Sequence, residues 1–280
     1  MRPARVSDSL ALSSAPVRGD LVRVRVVLSG KDLCPGSRWS ELVGLLRALP
    51  DGELGRAELL TEECLLEEEG PLRVYWIPFE RLNRAARIAI IGLTPGWYQM
   101  RQAFSAARDA FRAGAIDELG VLDHVARQAG FAGATRTNMV GMLDAIGLAD
   151  ALGIRTSAEL FGQRDDLIHG TSALRYPVFV DGENYRGANP RVDRSPMLTR
   201  SVHSQLATEL AEVSNALLLP LGSAVEGCLR MLIAARELDE TRCLFGFPHP
   251  SGANGHRANR FRRNESALRA ELARWTTKFG

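Results

Sequence analysis

The chain has 280 residues, 45% of them hydrophobic, and a formal net charge of +2. That is enough apolar material for one large domain with a full core, and the near-neutral balance excludes any reading of function from overall charge. No signal peptide, membrane-length apolar run or internal repeat stands out, so the expectation is a soluble, cytoplasmic protein without a membrane partner.

Residues 1–20 mix Ser and Pro without periodicity and form a candidate disordered segment. Leu21 to Leu28 alternates apolar residues with Arg, the pattern of a half-exposed strand. Trp39 to Leu49 can form a short helix, and an acidic stretch follows, with eight carboxylates between Asp51 and Glu69. Residues 1–70 are read as an appendage packed on a core formed by residues 71–280. From residue 71 strand and helix signals alternate, which predicts a three-layer α/β/α arrangement with a mostly parallel central sheet. Val74 to Ile77 and Ile88 to Ile91 are expected strands, and Met100, Phe104, Ala107 and Phe111 fall at helical spacing. Leu119 to Ala129 reads as a further helix, and Ala134 to Val140 as a strand carrying Asn138. Residues 164–200 break the alternation with Asp, Asn, Gly, Tyr and Pro, as a functional insert does. Leu217 to Leu221 is an expected buried strand. Ser223 to Glu226 reads as a capping box opening a helix, Cys243 to Phe247 as the last strand, and Leu268, Leu272 and Trp275 as the stripe of a closing helix.

Two turns concentrate the chemistry. Gly92-Leu93-Thr94-Pro95-Gly96 follows the Ile88–Ile91 run, and His249-Pro250-Ser251-Gly252-Ala253-Asn254 precedes a segment, residues 257–274, that holds six Arg against two Glu. A Gly/Pro turn after one strand and a His-Pro-Ser turn after another suit a ligand site at the carboxyl edge of an α/β sheet. Lys31 and Lys278 are the only lysines, so 33 of the 35 basic residues are Arg. Neither lysine lies near a turn, which leaves no amine at hand for a Schiff base. Cys34, Cys64, Cys228 and Cys243 contain no C-x-x-C pair and are expected as free thiols, with no metal and no cofactor. No G-x-G-x-x-G follows a strand, which disfavours a Rossmann nucleotide enzyme.

The G-x-x-P-G turn, Asn138 and the H-P-S turn, in that order over about residues 71–275, resemble the signature of the uracil-DNA glycosylase superfamily. The resemblance implies a monomeric, monofunctional DNA glycosylase that flips a base out of DNA and hydrolyses its N-glycosidic bond. By this likeness Gly92, Leu93, Pro95 and Gly96 shape the base pocket. Thr94 stands where the family often places a water-positioning Asp or Asn. Its hydroxyl can hold a water but is a poor base. Trp97, or its neighbour Tyr98, either stacks on the base or packs in the core. Asn138 would read the pyrimidine edge, and His249 would donate to the pyrimidine O2 as charge develops there. Ser251, Asn254, Arg257, Arg260, Arg262 and Arg263 would hold the DNA backbone. The chain is most similar in its G-x-T-P-G-W turn and HPSGAN stretch to a branch that excises glucosylated hydroxymethylcytosine from phage DNA in anti-phage defence. On that substrate Tyr176, Asp181, Asn184, Tyr185 and Asn189 of the insert are the candidate sugar pocket. Uracil removal in base-excision repair is the alternative substrate, and a non-catalytic DNA-binding module on the same fold is the alternative class.

Overall fold

Ile88-Ala89-Ile90-Ile91 and Leu217-Leu218-Leu219 present apolar side chains at every position, so strands made from them need cover on both faces. The computed structural model describes residues 32–114, 117–131 and 133–279. The expected strand Leu21–Leu28 and the segment 1–20 lie outside the described residues. The strands are β1 (Leu65–Glu69), β2 (Leu72–Tyr75), β3 (Ile88–Gly92), β4 (Ile168–Ser172), β5 (Val178–Val180), β6 (Glu183–Asn184) and β7 (Leu217–Pro220). The helices are α1 (Trp39–Ala48), α2 (Arg56–Leu59), α3 (Trp97–Ala113), α4 (Glu118–Ala129), α5 (Ala134–Ala145), α6 (Leu148–Leu152), α7 (Pro196–Ser201), α8 (Ala207–Glu212), α9 (Ser223–Ala234) and α10 (Arg257–Phe279).

The protein is mixed α/β with two sheets. A parallel sheet has the order β4-β3-β7, and an isolated parallel bridge between Leu218 and Cys243 adds a fourth chain segment beyond β7. An antiparallel sheet has the order β1-β2-β5-β6. Alternate residues of β3 and β7 serve opposite faces, as the pleat requires. Ile88, Ile90, Leu217 and Leu219 pack with Met139, Leu143, Leu268 and Trp275 of α5 and α10. Ala89, Ile91 and Leu218 pack with α3, α4 and α9 and with the antiparallel sheet. Each such fully buried aliphatic side chain contributes roughly 1.5–3 kcal/mol.

Several sequence expectations change in detail. Ala134 to Val140 is the first half of α5, not a strand, because Met139, Met142, Leu143 and Ile146 place their apolar groups at helical spacing on one buried face. The Val74–Ile77 run enters the antiparallel sheet rather than the parallel one. Cys243 to Phe247 contributes only a bridge, since Gly246 turns the chain away at φ +89°. Ser223 does not cap α9. Gly222 is the N-cap, and Glu226 instead accepts a bond from the Gly246 amide at 2.7 Å. The insert is ordered and shared out. Its first part supplies β4, and its middle supplies β5 and β6. Much of the acidic stretch is matched by Arg from elsewhere: Glu53 pairs with Arg101, Asp51 with Arg112 and Glu67 with Arg200. Among the described residues no helix is long and apolar enough to cross a membrane.

Candidate functional site

Parallel strands end together, and the loops that leave them can converge. Here the ends of β3, β4 and β7 open onto one cavity of about 940 Å³. Gly92, Leu93, Thr94 and Gly96 line it after β3, Ser172 at the end of β4, and Leu221 to Ala224 after β7. His249 joins them from the second turn. Glycines stand at two points of this convergence, and the second is required by its backbone. A Cβ on Gly92 would lie 3.4 Å from the Ser172 hydroxyl and 3.6 Å from the Phe131 ring. Gly222 has φ +90°, and a Cβ there would press on that of His249 at 3.2 Å.

The His249 turn is held through its carbonyl oxygens. Asn254 donates to the His249 carbonyl at 3.0 Å, Asn138 to that of Pro250 at 2.9 Å, and Arg257 to that of Ser251 at 2.7 Å. The Ser251 amide donates to His249 Nδ1 at 3.2 Å. That bond occupies the Nδ1 lone pair, so in the neutral ring the hydrogen resides on Nε2. His249 is open to solvent on one side, while burial of the rest of its ring lowers its pKa below the usual imidazole value. A neutral imidazole with a fixed Nε2–H donor results.

The first turn is stitched into the fold by its side chains. The Thr94 hydroxyl donates to the Tyr176 carbonyl at 2.9 Å and accepts from the Val178 amide at 3.1 Å. With its hydrogen spent, Thr94 can only accept from a water. Trp97 packs against the core with the Arg56 guanidinium 5.1 Å from its ring centre, and it is absent from the cavity wall. Tyr98, 58% exposed, and Phe131, whose ring lies against Gly92, are among the aromatic residues of that wall. Asn138 is also absent from the wall, since its carboxamide braces Pro250 from α5. Ser172 stands at the end of β4, in register with Gly92.

Of the five candidate sugar-pocket residues, Asn184 and Tyr185 reach the cavity. Asn184 already accepts from the Trp97 amide at 2.8 Å, and the Tyr185 hydroxyl donates to the Pro190 carbonyl at 2.6 Å. Tyr176 is buried, with its hydroxyl on Glu80 at 2.9 Å, while Asp181 and Asn189 face solvent outside the cavity. Arg260, Arg262 and Arg263 lie in the first turns of α10 with His256 and Asn259, around an open depression of about 700 Å³. No carboxylate pairs with them among the described residues, whereas Arg257 is engaged in holding the turn. Lys278 sits at the other end of α10, bound to Asp239 and Thr241.

A cluster that sequence reading missed lies deeper. Glu209 accepts from His169 Nε2 at 2.8 Å and from Arg175 Nε at 2.8 Å, with all three side chains buried. Burial alone would raise the Glu209 carboxyl, but the Arg175 guanidinium and the His169 bond overcome it and hold the pKa down at about 2. Nearby, burial raises the Glu80 carboxyl despite bonds from Trp76 and Tyr176. All four cysteines are buried and free.

Over 222 residues the chain is 40% identical to the uncharacterized protein YoxB of Bacillus subtilis (strain 168), covering 78% of this chain and 86% of YoxB. No family model matches the chain, and no solved structure matches it.

Proposed function

The chain belongs to the family of YoxB, and we propose that it is a monofunctional DNA glycosylase of the uracil-DNA glycosylase superfamily, with that superfamily's three-layer fold. In this reading it flips a modified pyrimidine from DNA and hydrolyses the N-glycosidic bond, leaving an abasic site. The favoured substrate is glucosylated hydroxymethylcytosine in phage DNA. One observation carries the reading: the Gly92–Gly96 turn and His249 border the same cavity at the carboxyl ends of the parallel strands.

The flipped pyrimidine enters between the Gly92 turn and His249. Phe131 or Tyr98 offers a ring face to stack on it. As the glycosidic bond lengthens, negative charge grows on the base, and the His249 Nε2–H, preorganised by the Ser251 amide, donates to the O2. Thr94, its hydrogen spent on the Tyr176 carbonyl and a lone pair on the Val178 amide, shapes the turn and is no base for the attacking water. Arg260, Arg262 and Arg263, which pair with no carboxylate among the described residues, hold the phosphates beside the mouth. The cavity is at the large end of the range for small-molecule pockets, which run to roughly 1,000 Å³, and has room for a base with a bulky substituent.

The deciding experiment incubates the protein with unmodified, uracil-containing and glucosylated phage DNAs and assays alkali-labile abasic sites. Abasic sites in glucosylated DNA are expected. Abasic sites in uracil DNA alone would give the repair reading, and none in any DNA would leave a non-catalytic DNA-binding module. Borohydride should trap no protein–DNA adduct, because no lysine among the described residues lines the cavity.

A further inference from the structure

The cavity continues past the His249 mouth along edge strand β4, and its inner wall contains charged residues for which base excision itself gives no task. His169, Arg175 and Glu209 line it at 2%, 3% and 1% exposure. Burying ions carries a heavy desolvation penalty, and apolar side chains could fill this edge more stably. The arrangement is nonetheless elaborate. His169 and Thr171 project from the same face of β4, and Glu209 is delivered by α8 directly after a π-helical turn, Val202–Leu206, a local distortion that often marks functional sites. Arg175 is further tied to the Pro35 carbonyl at 2.9 Å.

Counting bonds shows what would complete the wall. The Glu209 carboxylate takes His169 on one oxygen and Arg175 on the other, and the Thr171 hydroxyl helps hold its pKa down. Glu209 is therefore satisfied and serves to aim its neighbours. In the neutral ring with its Nε2 hydrogen on Glu209, His169 has an acceptor at Nδ1. Arg175 Nη2 lies 2.6 Å from Glu209 as an ion pair but is too poorly aligned for a hydrogen bond, which leaves N–H donors of the guanidinium unspent. An acceptor and unspent donors remain in one buried wall. A hydroxyl is the smallest group that can serve both.

We infer that this inner wall recognises hydroxyl groups on a substituent carried by the base, with His169 and Arg175 reading them and Glu209 and Thr171 acting as positioning residues. A sugar is the substituent class richest in such groups. The inference rests on the glycosylase reading and moves the sugar site from the loop residues Tyr176, Asp181 and Asn189 to the edge of the parallel sheet. A wall of this kind also rejects a bare base, because its polar groups would stay buried and unpaired.

The test uses the full chain and three duplexes that differ only at the target base: cytosine, 5-hydroxymethylcytosine and glucosylated 5-hydroxymethylcytosine. Single-turnover abasic-site formation is measured for wild type, the near-isosteric Thr171→Val, and His169→Asn. The readout is the ratio between duplexes, which a general loss of activity does not move. Each folded variant should shrink the preference for the glucosylated duplex by about 10-fold or more, since a site built on hydroxyl bonds discriminates by several orders of magnitude. An unchanged ratio in both variants overturns the inference. Wild type that cleaves uracil DNA and ignores all three duplexes overturns it while leaving the glycosylase reading standing. If wild type makes no abasic site in any DNA, the glycosylase reading fails on its own, and calorimetric titration with free glucosylated hydroxymethylcytidine decides the wall. Heat seen with wild type and lost in Thr171→Val supports it, and no heat with wild type overturns it.

Discussion

The two turns that border the cavity are built in opposite ways. The turn after β3 gives its polar groups to the protein: the Thr94 hydroxyl binds the Tyr176 carbonyl and the Val178 amide of β5, and the Gly96 and Trp97 amides bind Gln99 and Asn184. The turn at His249 is held from behind, by three side chains that grip its carbonyl oxygens. It therefore keeps the imidazole Nε2 for an incoming group. The first turn sets a shape and the second offers chemistry. Substitutions in the first should register as stability, and in the second as rate.

The largest expected effect is at His249. His249→Ala should cut single-turnover cleavage by about 100-fold or more, the scale for one transition-state donor, with the melting temperature and DNA affinity little changed. A parallel loss of melting temperature would erase the contrast between the turns. At Thr94 the expectation is reversed. Thr94→Val strands the Tyr176 carbonyl and the Val178 amide, so chemical denaturation should show a loss of about 1–3 kcal/mol. Cleavage per folded molecule should stay near wild type. A fall in rate with stability intact would instead make Thr94 the holder of the attacking water.

Smaller effects sharpen the same picture. Arg260→Gln or Arg263→Gln should weaken binding to any sequence and flatten its dependence on salt by about one unit each. Filter binding across a salt series measures this, and an unchanged slope in both would remove α10 from the DNA surface. The weakest effect concerns pH. The folded state lowers the His249 pKa, so the unfolded chain binds the proton more readily. Stability attributable to this group is complete above the ordinary imidazole value and declines as pH falls below it. His249→Ala should flatten that decline in unfolding curves between about pH 5 and 8.

Much of the scaffold was legible because periodicity survives in the sequence. The α3 stripe of Met100, Phe104 and Ala107, the α4 segment and the wholly apolar β3 and β7 were readable from spacing alone. The strand misread at Asn138 came from Thr135, Thr137 and Val140, whose β-branching outweighed a Met139-Met142-Leu143 stripe that begins only mid-segment. Strand β4 was invisible for a different reason. As an edge strand with Ile168 toward one core and His169 toward a polar cluster, it lacks the apolar run of a central strand. The cluster itself joins residues 34 positions apart in sequence, Arg175 and Glu209, so no local pattern announces it. At the mouth, His249 and the Gly92 turn, both singled out from the sequence, line one cavity, whereas Phe131 and Ser172 belong to no motif at all.

The first turns of α10 carry guanidinium groups and no amine: Arg257, Arg260, Arg262 and Arg263. A guanidinium stays protonated at every pH a cell reaches, and it is not a substrate for lysine acetylation or ubiquitination. The charge on this face is therefore permanent. On the proposed reading, an enzyme that acts on foreign DNA as it arrives gains from a grip that cell metabolism cannot loosen by acylation. Restraint has to come from elsewhere, either from competition by ions and acidic surfaces or from a pocket that admits few bases.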